Sequence, residues 1–307
     1  MKRTRKIKAN PDPDLILCSD LHLRLAPPRC RIDDFRQAML SKLKALKALQ
    51  ERYNIPIFCA GDVFDKWDAS PELLTLLIEQ MPYIHTIAGQ HDLPYHNMHL
   101  LYKSGLSTLV AAGKAEVMSG EGLYNWDAPF PKKGIAANYG HFNFDTIERD
   151  IIIAHTLVWD EVEPFPGARG STAIQALKTF PKADLILTGD NHQPFVTEYK
   201  GRVLVNPGSM LRLKADQKDH QPRAYLYYAE DNRVEPYYFK IDPEAVSTHH
   251  TDAARDRKAR AHEFALKTKK AYNTTISFRD NVEQEMNRRK TAKSIRSIVM
   301  KSLERSV

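Results

Sequence analysis

Five short stretches follow one another along the chain: Asp20-Leu21-His22, Gly61-Asp62, Gly89-Gln90-His91-Asp92, Ala154-His155-Thr156 and Gly189-Asp190-Asn191-His192. Each closes an apolar, strand-like run with side chains of metal-ligating type. Carboxylate oxygen and imidazole nitrogen together suit Mn, Fe or Zn, and the near absence of Cys among them argues against a zinc finger or an iron–sulfur centre. The chemistry implied is two-metal hydrolysis. Asp20 and His22 alternate with Leu21, which in an extended conformation turns both toward one side. Asp62 is suited to bridging, because a carboxylate shared by two cations ~3.5–4 Å apart reduces their repulsion. Each motif alone is weak, since a strand-end Asp is often a helix cap and a lone His is often a hydrogen-bonded surface or core residue. Their order is the signal.

Elements that aim such residues are legible in the hydrophobic pattern. Asp14–Ser19 and Ile55–Ala60 read as strands, with a helix between them whose apolar positions Phe35, Met39, Leu43, Leu46 and Leu49 follow three- and four-residue spacing. Pro71 opens a second helix, with Leu73, Leu74, Leu77 and Ile78 on its apolar face, ahead of a strand at Tyr83–Ala88. Strands follow at Asp150–Ala154 and Ala183–Thr188 around a short helix near Thr172–Thr179, then at Phe195–Tyr199, Arg202–Val205, Ala224–Glu230 and Arg233–Lys240 without helices between them. The expected class is α/β: a sandwich of mixed sheets and helices rather than a purely parallel wound sheet. Side chains at strand ends are held by the sheet while the following loops point them at one place.

After Pro243 the strand signal stops, and Asp252–Ala271 and Asp280–Ser306 read as helices. The second carries an apolar stripe of Val282, Met286, Ile295, Ile298, Val299 and Leu303 that needs another surface to cover it. The expected division is a basic arm over residues 1–12, a catalytic domain over 13–242 and a basic helical extension over 243–307. Of the net +7, residues 251–307 carry +8, with 15 Lys/Arg against 7 Asp/Glu, and five basic residues lie in Met1–Lys8. Two basic ends around an acidic body suit a polyanionic partner, although solvated helix faces give the same count. No apolar run approaches the ~20 residues of a membrane span, and the basic N-terminus is followed by Pro11 and Pro13 rather than a signal segment, so a cytoplasmic location without membrane contact is expected. Three cysteines without paired spacing fit a reducing compartment, with Cys18 and Cys59 read as core residues.

The motif order resembles that of the calcineurin-like metallophosphoesterase superfamily over roughly residues 13–240, including the turn Asn206-Pro207-Gly208-Ser209. Within it, Ser19–Leu23 and Gly61–Asp65 are most similar to the DNA-repair nuclease branch typified by bacterial SbcD and by Mre11. The resemblance implies two mixed β-sheets flanked by helices. It implies one divalent cation on Asp20, His22, Asp62 and His192, and a second on Asp62, Gln90, His155 and Asp190. His91 would stand beside the scissile phosphate, polarising it or protonating the leaving oxygen. For Asp92 two roles fit: fixing the His91 imidazole, or capping a helix that starts near Met98. Tyr95, His96 and His99 either face the substrate or close the loop, and Trp67 either stacks on a base or covers a core edge.

Two positions depart from the family pattern. Gln90 replaces the usual Asn of Gly-Asn-His, and Asp190 replaces the first His of Gly-His-x-His; both fall on the second cation. More oxygen there favours Mn²⁺ or Mg²⁺ over Zn²⁺, with Mn²⁺ the first choice. The activity implied is a phosphodiesterase, foremost a DNA exonuclease or endonuclease of SbcD/Mre11 type acting in DNA repair, recombination or DNA processing. Its expected partners are DNA, a Rad50/SbcC-type ATPase met by the C-terminal helix, and a second copy of the chain. Two other readings stay open: a phosphatase or phosphodiesterase of nucleotides or phosphoproteins, and a non-catalytic nucleic-acid-binding module.

Overall fold

The computed structural model describes residues 12–118, 120–122, 135–139, 150–249 and 278–304. Most of the expected N-terminal arm and the expected helix Asp252–Ala271 lie outside them. The chain divides into two compact units, Met1–Ser247 and Thr248–Val307.

In the first unit, alternation along each strand decides the layering. Leu15 and Leu17 of the strand Leu15–Cys18 turn to one side, where they join Phe58, Ile151, Ile153, Leu185, Leu187, Val203 and Val205 in a core between two sheets. Ile16 and Cys18 turn to the other and meet Met39, Leu43 and Leu46 of the helix Phe35–Tyr53. A third cluster joins Ile152, Ile186 and Leu204 to Ala173, Ala176 and Leu177 of the helix Ala173–Thr179. Two mixed sheets thus lie face to face with helices outside, as expected.

The first sheet runs Arg233–Tyr238, Arg223–Tyr228, Leu15–Cys18, Ile57–Cys59, Ile84–Thr86, Ala115–Val117, with the last four strands parallel. The second runs Phe195–Tyr199, Arg202–Asn206, Leu185–Gly189, Ile151–His155, Ile135–Tyr139, Gly120–Gly122, antiparallel only at its two ends. Ala115–Val117, Gly120–Gly122 and Ile135–Tyr139 are strands that the hydrophobic pattern does not announce. Helix starts follow the local chemistry: Asp34 accepts from Gln37 N at 3.0 Å, and Ser70 caps the helix Pro71–Gln80 with Pro71 in its first turn. All three cysteines are free and buried.

In the second unit the single helix expected over Asp280–Ser306 is two, Phe278–Arg288 and Lys293–Glu304. Lys290 adopts a left-handed backbone (φ 52°), and the amides of Lys290 and Thr291 fold back onto the carbonyls of Asn287 and Met286, closing the first helix. Met286 is buried, whereas Ile295 and Ile298 are exposed. No helix among the described residues is long and apolar enough to cross a membrane.

Candidate metal centre

The parallel strands Leu15–Cys18 and Ile57–Cys59 end level, with Cys18 opposite Cys59. Beyond the sheet their loops stay joined: Asp20 N donates to Gly61 O (3.0 Å), His22 N to Asp62 O (3.0 Å) and Leu23 N to Val63 O (2.9 Å). Asp20, His22, Asp62 and Asp190 all take left-handed backbone, with φ of 50°, 44°, 51° and 74°. This corrects the extended geometry expected for Asp20-Leu21-His22. The two side chains converge through a turn, and left-handed backbone at four non-glycine residues of one site is strain that the surrounding hydrogen bonds must hold.

Three groups of ligand atoms meet there: Asp20, His22 and His192; His22, Asp62 and His91; and Asp20, Asp62 and His155. Asp62 Oδ1 accepts from His91 N at 2.9 Å, leaving Oδ2 3.4 Å from His155 Nε2 and 3.7 Å from His22 Nε2. Asp20 Oδ1 lies 3.7 Å from His22 Nε2 and 3.6 Å from His192 Nε2, and the two imidazole nitrogens approach to 3.0 Å. His155 Nδ1 donates to Ala60 O at 2.6 Å, which fixes the tautomer and turns the Nε2 lone pair inward. Asp20 Oδ2 and Asp62 Oδ2 are buried without a hydrogen-bond partner. Buried polar atoms are nearly always satisfied, so two orphaned carboxylate oxygens beside the His22, His155 and His192 imidazoles fit divalent cations.

The electrostatics of the metal-free cluster agree. Burial opposes charge on His155, but the Asp62 and Asp20 carboxylates outweigh it and push the imidazole up to about 10. Burial would raise the Asp20 carboxyl, yet the neighbouring imidazoles of His22, His155 and His192 hold it well below the usual range. Cations must therefore displace protons. Apparent metal affinity should rise by about tenfold per pH unit up to pH 10 for the His155 proton alone, read by calorimetry in buffers of differing ionisation enthalpy. A pH-independent affinity between pH 6 and 9 would remove His155 from the ligand set. Without metal the sign reverses: the protonated His155 stabilises the fold below its ordinary pKa of 6.5, and that contribution is lost as pH rises toward 10.

A profile of the calcineurin-like phosphoesterase superfamily domain matches residues 14–231. The chain belongs to this superfamily. As a member it is a metal-dependent phosphoester hydrolase. Similar solved structures include an archaeal phosphodiesterase (11% identity over 73% of this chain and 98% of that one, TM-score 0.40). A metallophosphoesterase from Sphaerobacter thermophilus (16%, 74% and 89%, 0.36) and a putative 5'-nucleotidase from Staphylococcus aureus (13%, 79% and 58%, 0.43) are also similar. No curated protein sequence matches significantly. The assignment rests on the profile match.

In this phosphoesterase the two atypical residues touch each other. Gln90 Nε2 donates to Asp190 Oδ1 at 2.6 Å, and Asp190 belongs to none of the three converging groups. The longer Gln side chain and the shorter Asp thus form a matched pair. Asp190 N also donates to Asp20 Oδ1 (3.2 Å), tying its loop to the cluster.

His91 is exposed, its Nδ1 on Asp65 O at 2.8 Å. Asp92 does not fix that imidazole. Its buried carboxylate accepts instead from Gly89 N (2.9 Å), Phe64 N (2.9 Å) and Val63 N (3.2 Å), clamping the Asp62 and Gln90 loops together. Nor does it cap the next helix, since Asn97 accepts from His99 N there. Burial and the Asp62 charge push the Asp92 carboxyl up to about 6. Trp67, Tyr95 and His96 line a cleft of about 390 Å³ together with His91 and Gln90, whereas His99 does not reach it. Tyr95 is 87% exposed. The Asp65 carbonyl is a participant that sequence reading missed, because a backbone atom carries no residue signal. Asn206, in the turn singled out from the sequence, donates to Asn191 O (2.6 Å) and Gln193 O (2.8 Å) and so holds the His192 loop.

Proposed function

We propose that this phosphoesterase is a nuclease of the SbcD/Mre11 type, hydrolysing DNA phosphodiesters with two divalent cations, Mn²⁺ foremost. The observation that carries the reading is the exposed His91 on an open cleft beside the metal centre, lined by Lys66, Trp67 and Tyr95 as well, side chains suited to a nucleic-acid strand. Asp20, His22, Asp62 and His192 would hold one cation, and Asp62, His155, Gln90 and Asp190 the other. When bound, such a pair would make water more acidic and offset the charge that builds on the phosphoryl oxygens. The remaining chemistry falls to His91. Its Nδ1–H is engaged by the Asp65 carbonyl, so Nε2 faces the substrate, and a proton there passes to the sugar oxygen as the oxygen of water bonds to phosphorus and the sugar's own bond to it breaks. The products are a phosphate monoester and an alcohol. Lys66, Trp67 and Tyr95 would meet the strand through phosphate charge and base stacking.

His91→Ala should lower kcat by about 10²–10⁴-fold while leaving the metal content unchanged; loss of metal along with turnover would move His91 into the ligand set. On end-labelled DNA with Mn²⁺, cleavage should fall by an order of magnitude or more between about 50 and 200 mM salt, while a chromogenic diester is unaffected. Equal salt response of both substrates favours a small-molecule phosphoesterase. The same reading makes Lys293–Glu304, with Ile295 and Ile298 exposed, the segment that meets a Rad50/SbcC-type ATPase, and makes the nuclease a homodimer. Light scattering on the protein with and without such an ATPase checks both.

A further inference from the structure

Away from the metal centre, three cations are buried together. Lys42 lies on the apolar face of the helix Phe35–Tyr53, only 4% exposed, beside Arg31 (9%) and Arg212 (2%). Arg31 forms a two-point pair with Asp33 (2.7 and 2.5 Å) and stands over the Phe35 ring. Among the described residues, Arg212 donates to the backbone carbonyls of Lys218 (2.9 Å) and Asp242. Lys42 spends one proton on Ala38 O (3.1 Å), a carbonyl of its own helix. Other carboxylates lie close as well: Asp34 caps Gln37 N, Asp242 accepts from Glu244 N, and the charges of Asp242 and Asp219 also reach Arg212. Among the described residues, only Asp33 stands within ion-pair distance of any of these three buried cations.

Buried charge is costly unless an opposite charge meets it, and carbonyls supply no counter-charge. Burial, then the like charges of Arg31 and Arg212, push the Lys42 ammonium down to about 8. These groups do not face closed protein. Lys42, Arg31, Arg212 and Lys240 line a cleft of about 270 Å³ whose wall also carries Asp33, Asp34 and Asp242, four cations against three carboxylates. Two guanidiniums and an ammonium converging from a helix and two loops match the several oxygens of one tetrahedral anion.

We infer that this cleft binds a phosphate group, held by Lys42, Arg31 and Arg212, at a site separate from the metal centre. The group comes either from free phosphate or from a nucleic-acid backbone. The inference does not rest on the nuclease reading.

Thermal unfolding of the metal-loaded protein tests it with inorganic phosphate as the probe. About 10 mM phosphate should raise the wild-type Tm by about 2–4 °C. Lys42→Met, which keeps the stem and removes the charge, should lose most of that rise and should have the higher Tm when phosphate is absent. An equal phosphate response in both proteins overturns the inference, and the comparison cancels general salt stabilisation. Should Lys42→Met not fold, amine labelling of the wild type decides: phosphate should slow modification of Lys42 by about threefold or more. A phosphorothioate oligonucleotide, which resists hydrolysis, separates the sources. Protection by phosphate marks a free-anion site, protection by the oligonucleotide alone marks a backbone site, and protection by neither overturns the inference.

Discussion

Asp62→Ala should reduce turnover of a chromogenic phosphodiester on the order of 10³-fold and lower the bound metal from two ions per chain toward one or none. The expectation follows from what each oxygen of this carboxylate does. Oδ2 stands between His155 Nε2 and His22 Nε2, 3.4 and 3.7 Å away, and has no hydrogen-bond partner of its own. Oδ1 accepts from His91 N, so the same side chain also fixes the loop that presents His91. Removing it breaks both functions at once. Asp62→Asn separates them, because the amide oxygen can still accept from His91 N while the negative charge is gone. If the Asp62→Asn protein retained two metals and wild-type turnover, charge bridging by this residue would be wrong whatever the fate of the Ala variant. Elemental analysis alongside kcat provides the readout.

Much of this arrangement is legible in the sequence because it rests on periodicity and on residue type. The strands that lead to Asp20, Asp62, His155 and Asp190 are short apolar runs, chiefly of Ile and Leu, and the helix stripe Phe35, Met39, Leu43, Leu46, Leu49 is buried as its spacing requires. What escapes has identifiable causes. The strand Ile135–Tyr139 reads Ile-Ala-Ala-Asn-Tyr, too poor in β-branched residues to signal a strand, and it forms because Ile151–His155 offers it a parallel partner. Lys42 looks like an exposed charge in a helical stripe, and only the tertiary structure shows it buried. Asp92 follows His91 directly and so invites pairing with it. The short helical turn Gln90–Asp92 instead directs its carboxylate back to the amides of Gly89, Val63 and Phe64. Residue type shows that a carboxylate seeks donors, but not whether an imidazole or a backbone amide reaches it first.

Gly89→Ala is expected to cost about 10²-fold in activity, although it removes no functional group. Gly89 has φ −102°, which any residue adopts, so conformational freedom is not the reason for glycine here. Space is. A Cβ at this position would fall inside the contact radius of Asp62 Oδ1 and Asp62 N, and 2.7 Å from Asp62 Cγ. Neither neighbour can yield cheaply: Oδ1 is tied to His91 N, and the chain on either side is clamped by Asp92 through Gly89 N, Val63 N and Phe64 N. The added methyl must therefore push Asp62 off the point where His22 and His155 converge, or pull the Gly89–Asp92 turn away and His91 with it. Either shift approaches about 1 Å, a displacement that costs about 10²-fold in rate even when chemistry is otherwise intact. Overpacking at a buried site adds a stability loss of about 1–3 kcal/mol. The two effects are separable by measuring kcat at a temperature well below the Tm of the variant. A Gly89→Ala protein with wild-type turnover and two bound metals would show that Asp62 is free to relax, and that the clamp formed by Asp92 does not hold its carboxylate in place.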